Sequence, residues 1–111
     1  MRTLPLDQTV QTTLDGSGNG VVMFGPSFHQ EEWSVNRTAV LTSSASITTA
    51  AIPQVQVYVA GRFIDGTYTG SNNSSDTGYQ VRSGQQIQVT FLQGQPGDIA
   101  TVTVSGDRLL P

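Results

Sequence analysis

Three stretches of the chain alternate strictly between apolar and polar residues, and a period of two is what a strand with one buried face requires. In "QVQVYVAG", Val55, Val57 and Val59 share a face opposite Gln56 and Tyr58. In "QQIQVTFL", Ile87, Val89 and Phe91 face away from Gln86, Gln88 and Thr90. In "IATVTVSG", Ala100, Val102 and Val104 oppose Thr101 and Thr103. Less regular strands are expected in "QTVQTTL" (Val10, Thr12, Leu14), "GVVMFG" (Val21 to Phe24), "EWSVNRTAVLT" (Trp33, Val35, Ala39, Leu41) and, near Val81, "GYQVRSG".

The segments between them are rich in turn formers: "DGSGNG", "GPS", "SSAS", "SG" and "QGQPGD" supply the Gly, Pro, Asn and Ser that tight turns need. No stretch carries a 3.6-residue apolar stripe with caps. The pattern predicts an all-β chain, a single antiparallel β-sandwich of about seven to eight strands, jelly-roll-like or Ig-like, with a small barrel as the neighbouring reading. At 111 residues the chain suits one domain with one core. The ends, "MRTLP" and "DRLLP", fall outside the alternation and read as extended terminal arms, residues 1–7 and 107–111.

Only 12% of residues are charged, about half the usual share. All five basic residues are arginine, and the net charge is -3. Such a chain offers no electrostatic footprint for a phosphate backbone, so a nucleic-acid partner is not expected. Nor is a membrane partner, because no run approaches the roughly 18 apolar residues that span a bilayer. Sheet edges in monomers are usually blunted by charge, lysine above all. This chain has no lysine, so its edges call for a cover: another copy of itself or another protein. The absence of cysteine removes disulfides and thiolate metal sites, which suits a cytosolic or virion-like setting.

Chemistry-bearing residues are sparse. His29 is the single histidine, too few for a zinc ligand set. Glu31 and Glu32 are adjacent, so in an extended segment they point to opposite faces and read as entry charges before a buried Trp33. No GxSxG elbow accompanies the many serines, and the chain reads as non-enzymatic, without a cofactor. Arg37 lies in phase with Trp33 and Val35, so either a bulge near Asn36 restores Val40 to the core, or Arg37 is partly buried against an acid. The triplets at Asn36, Asn72 and Asn73 fit the glycosylation pattern but read as chance matches in a Ser/Thr-rich chain.

The segment "FIDGTYTGSNNSSDTGY", residues 63–79, looks most like a site. Asp65, Asn72, Asn73 and Asp76 offer four oxygen ligands of the kind calcium uses, without EF-hand spacing. Asx and Ser turns that cap their own backbone account for the same residues. The reading is a short bridge at Thr67 to Thr69 followed by a polar loop, Gly70 to Gly78, whose tip contacts a partner. Tyr58, Tyr68 and Tyr79 are candidates for a sugar-stacking platform.

The runs "GVVMFGPSFHQEEWSVNRTAVLTSS", "VQVYVAGRFIDGTYTGSNNSSDTG" and "VRSGQQIQVTFLQGQPGDIATVTVSG" together resemble small virion proteins of tailed phages that infect actinobacteria, over about residues 18 to 106. In those proteins a strand ending in Gly-Pro leads into a Trp-containing strand. A "VY" strand, a "DGTY" to "SD" segment and a last strand after a Pro-Gly turn follow. The resemblance implies a sandwich displayed on the particle, of head-decoration or minor tail type, oligomeric, with no catalytic residues. The expected function is a capsid decoration or cement protein on the major capsid shell, with a trimer as the favoured assembly. A minor tail or baseplate component and a host-surface glycan binder are the alternatives. The expected partner-binding residues are Leu4, Leu6, Leu109 and Leu110 of the arms, with Tyr68, Asn72 and Asn73 of the polar loop.

Overall fold

Strand pairing in the protein is nested. A computed structural model describes residues 2–27, 29–45 and 49–111, with the side chains of Thr67 and Tyr68 left aside. Nine strands follow in chain order: β1 (Arg2–Thr13), β2 (Gly20–Phe24), β3 (Glu32–Thr42), β4 (Gln54–Val59), β5 (Arg62–Thr69), β6 (Asn72–Ser75), β7 (Tyr79–Val81), β8 (Ile87–Leu92) and β9 (Ile99–Leu110). From the outside inward, β1 pairs with β9, β2 with β8, β3 with both β6 and β7, and β4 with β5, all antiparallel. Two sheets result, β1-β9-β3-β6 with β7 beside the other half of β3, and β2-β8-β4-β5. The fold is all-β, two antiparallel sheets around one apolar cluster.

The three regular alternations become β4, β8 and β9, with Val55, Val57, Val59, Ile87, Val89, Phe91, Ala100, Val102 and Val104 buried as expected. In the first sheet the rows are made by cross-strand pairs: Val102 of β9 lies between Val10 of β1 and Val40 of β3.

Of the expected terminal arms, residues 2–7 and 107–110 are instead strand, and Met1 lies outside the described residues. Arg2 pairs with Leu110, and the register runs unbroken to Thr13 opposite Ile99, while β9 also pairs with β3 as far as Leu109 opposite Glu32. Leu4, Leu6, Gln8 and Val10 continue the period of two. Pro5 disguises it, and a proline is tolerated there because β1 is an edge strand and needs no ladder donor on its outer side. Twelve residues at about 3.3 Å each make a ribbon of about 40 Å, which accounts for the long axis of a molecule measuring 48 × 21 × 19 Å.

In β3 the register shifts between Val35 and Arg37. The extra residue, Asn36, turns Arg37 outward and brings Thr38, Val40 and Thr42 to the core, so the bulge wins over the buried-arginine alternative. Gly106 lies opposite the bulge at a positive φ of 156°. A Cβ there would sit 2.0 Å from the Ser34 carbonyl oxygen, so only glycine lets the two backbones approach.

Candidate binding surfaces

The segment that looks most like a site closes on itself. β5 extends from Arg62, and β6 occupies what reads as loop, with Asn72 opposite Leu41 and Asn73 opposite Val40 at the sheet edge. The Asn73 side-chain oxygen accepts from the Ser74 amide at 2.8 Å. Asp65 accepts from Ser75 Oγ at 2.5 Å and Thr77 Oγ1 at 3.1 Å. Arg37 donates to Ser74 Oγ at 2.9 Å and stands 4.0 Å from the exposed Asp76. Of the four prospective calcium ligands, Asp65, Asn73 and Asp76 are thus engaged separately, Asn72 is placed on the β6 edge opposite Leu41, and among the described residues no three His, Cys, Asp or Glu side chains form a cluster. Asn73 and Ser75 cap the neighbouring Ser74 and Thr77 amides as local Asx and Ser capping predicts, whereas Asp65 is held by the hydroxyls of residues ten and twelve positions away.

Tyr79 and Tyr58 do not share a platform. The Tyr79 hydroxyl is within 2.8 Å of Thr38 Oγ1 between the sheets. Burial, with a smaller contribution from the Asp65 charge, pushes it up to about 12 against the opposing effect of the Thr38 hydrogen bond. Tyr58 instead packs on Phe63, ring centroids 5.6 Å apart and tilted by 45°. The Tyr68 backbone belongs to β5, and its side chain lies outside the described residues.

The leucines expected to dock on a partner are divided by the ribbon. Leu6 is in the core at 2% exposure, placed over the side-chain-free Gly106 that it pairs with, so it is not a contact residue. Leu4 remains 38% exposed, and Leu109 and Leu110 are half-buried on β9.

Sequence reasoning missed the buried ion pair at this end of the molecule. Glu31, 2% exposed, accepts from Arg108 Nε at 3.1 Å and Nη2 at 3.2 Å, and from Trp33 Nε1 at 2.6 Å. Burial alone would push the carboxyl up, but the Arg108 and Trp33 hydrogen bonds and the Arg108 charge outweigh it and hold the group below its ordinary value. Glu31 and Arg108 are 77 residues apart in sequence, and only the pairing of β3 with β9 brings them together.

Two further features concern partners. The first is the outer face of the second sheet. Strands β2, β8 and β4 contain no charged residue. Their inward residues are the buried ones, which leaves Val21 and Met23, Gln88 and Thr90, and Gln56 and Tyr58 outward. The register lines up Met23, Gln88, Tyr58 and Phe63 in one row and Val21, Thr90 and Gln56 in the next. Val21, Met23 and Phe63 are about half exposed. The second is a groove of about 510 Å³ between β5 and β7, bordered by Arg62 and Arg82. Neither surface is visible in the sequence pattern, because each combines residues from strands distant in the chain.

Compared with known proteins, the sequence matches no family model and no curated protein. Among the described residues no helix is long and apolar enough to cross a membrane.

Proposed function

We propose that the chain is a non-enzymatic virion structural protein of a tailed phage, a capsid decoration protein that rests on the major capsid protein through the outer face of β2, β8 and β4. The observation that carries this reading is the lack of any charge on that face. Ordinary exposed sheet faces are dotted with Lys and Glu, whereas the centres of protein interfaces are depleted in them. A surface of Val, Met, Gln, Thr, Tyr and Phe loses little on being covered, since no ion must be stripped of water. The resemblance of residues 18 to 106 to virion proteins of phages infecting actinobacteria supports the same reading from different residues.

The architecture we assign is a β-sandwich of jelly-roll type rather than Ig-like. The support is the nesting of β1 with β9, β2 with β8, β3 with β6 and β7, and β4 with β5, which describes one long antiparallel ribbon folded over itself. In this reading the protein is made in the host cytoplasm, assembles as a trimer and is carried on the particle surface. Docking is through a preformed sheet face rather than through ordering of leucine arms, so little conformational entropy is lost on binding.

The test is co-sedimentation with particles that lack this protein. The native chain should pellet with them, and a Gln88→Glu/Thr90→Glu variant should stay in the supernatant while melting within a few degrees of the native chain. Pelleting of both alike would remove the face from the account. A minor tail or baseplate position is the alternative within the same class, separated by which part of the particle the protein labels. A host-surface glycan reading draws on one observation, the exposed Phe63 beside Tyr58 and the amides of Gln56 and Gln88. Retention on host cell wall by the isolated chain, lost in Phe63→Ala, would favour it.

A further inference from the structure

The groove between β5 and β7 has the makings of a second, chemically different site. It opens where the two sheets part company. Near β6 the edges of the sheets are bridged by Asp65 with Ser75 and Thr77, but beyond that point β5 and β7 are both terminal strands of their sheets. Among the described residues, Arg62 to Ile64 of β5 and Tyr79 to Val81 of β7 therefore each have one side of their backbone without a strand partner. The groove between them is walled by Val59, Ile64 and Tyr79 and rimmed by Arg62, Arg82 and Gln85. Because the Tyr79 hydroxyl is engaged by Thr38, that residue offers the groove a ring rather than a donor.

The arginines are what make the groove specific. The chain has five basic residues against eight acids, so cations are scarce. Arg37 stands beside Asp76, and Arg108 is paired with Glu31. Among the described residues neither Arg62 nor Arg82 makes an ion pair, yet the two border the same groove. Both are anchored by tight turns. Arg62 follows the Ala60-Gly61 turn, whose residues have φ of 50° and 80° as a two-residue hairpin requires. The Arg82 amide donates to the Gln85 side-chain oxygen at 3.0 Å, and the Gln85 amide donates back to the Arg82 carbonyl at 3.0 Å. This exchange leaves the Gln85 side-chain NH2 as a further donor at the rim.

We infer that this groove binds an extended, carboxylate-bearing peptide segment of another protein chain. Free strand edges offer main-chain hydrogen bonds to a segment laid between them, the apolar walls take one side of its side chains, and the guanidinium forks take carboxylates from the other. Nucleic acid is disfavoured because, among the described residues, only Arg62 and Arg82 bring positive charge to the groove, so it lacks the extended basic surface that follows a phosphate backbone, and a nucleic acid has no apolar side chains to set against Val59 and Ile64. The groove and the uncharged face of β2, β8 and β4 are separate surfaces, so the inference stands or falls independently of the capsid reading.

The experiment uses the full chain and a fluorescein-labelled nonapeptide alternating Val and Asp, followed by anisotropy and by amide chemical shifts. The Asp peptide should bind and move the amide signals of Gln80, Arg82 and Gln85. Arg62→Gln and Arg82→Gln should each weaken binding several-fold, and the double variant at least about tenfold, with an unchanged melting temperature. The same peptide with Lys for Asp should not bind. Inorganic phosphate and glucuronate should compete only at far higher concentration than the peptide. Unchanged affinity in the double variant, equal binding of the Lys peptide, or no movement of the groove amides would overturn the inference. Binding of either free anion as tightly as the peptide would overturn it too, making the groove a simple anion site.

Discussion

The two sheets spend their charge differently. The β1-β9-β3 side carries Arg2, Asp7, Glu32, Arg37, Asp107 and Arg108 within its strands, and Arg108 is locked to the buried Glu31. The other sheet has charge only in β5, at Arg62 and Asp65. Both are paired with inward-facing residues of β4, Val59 and Val57, so they point to the seam between the sheets rather than to the outer face. Low overall charge is therefore not spread evenly: one sheet keeps enough polarity to face water, and the other presents a surface suited to being covered.

The sharpest way to break the comparison is to attack each sheet where its stability is concentrated. Arg108→Ala strands the Glu31 carboxylate and should cost about 3 to 5 kcal/mol. Phe91→Ala, at 0% exposure, should cost a similar amount, roughly 3 to 5 kcal/mol, from the second sheet's inner face. Urea unfolding of both variants checks this. The double variant Glu31→Gln/Arg108→Met should be clearly less damaged than Arg108→Ala, because no buried charge is left unpaired and the new side-chain amide still offers Trp33 an acceptor. Equal loss in the two would mean that packing, not charge, dominates this end of the ribbon.

Gly106→Ala comes next, at about 1 to 3 kcal/mol, since its methyl must displace the Ser34 carbonyl at the bulge. Thermal melting measures it. If the variant is as stable as the native chain, the close approach of β9 to the bulge is not needed.

Acid should separate the sheets more gently. The Glu31 carboxyl lies below its ordinary value of 4.5 in the folded chain, so the folded state binds fewer protons than the unfolded one. Its contribution is complete above the ordinary value of 4.5 and is lost as pH falls through the folded value. The melting temperature should therefore drop below about pH 4.5, and less steeply in Glu31→Gln. Parallel curves for the two chains would exclude Glu31 as a source of the acid sensitivity. The smallest effect belongs to the uncharged face: Gln88→Glu alone should change unfolding free energy by no more than about 0.5 kcal/mol.

The strands that the sequence made legible are those whose inward residues are nearly all β-branched or aromatic, β4, β8 and the first half of β9. The irregularity at Asn36 was legible only as a choice between a bulge and a partly buried Arg37, which the pairing of β3 with β9 decides for the bulge. The ribbon ends were not. Pro5 and the Leu109-Leu110 pair interrupt the alternation, and their strand state depends on a partner about a hundred residues away. The sequence shows only a bridge at Thr67 to Thr69 where β5 runs from Arg62 to Thr69, because the pairing of β5 with β4 is broken twice, between Val55 and Val57 and between Val57 and Tyr58. β6, "NNSS", has no apolar residue at all and is a strand only because β3 offers it an edge. Of the candidate contacts, the self-capping of Asn73 followed from side-chain chemistry, whereas the bonds of Asp65 to Ser75 and Thr77 needed the fold to bring β5 and β6 together. The outer face of the second sheet did not, since a row such as Met23, Gln88, Tyr58 and Phe63 exists only after register is set.

The most direct test of the central claim is a reconstruction of the intact particle at a resolution that orients this chain. The account predicts that the outer face of β2, β8 and β4 lies against the major capsid protein, with Gln88 and Tyr58 excluded from solvent. The same face pointing into solvent, with the charged β1-β9-β3 sheet against the shell, would contradict it.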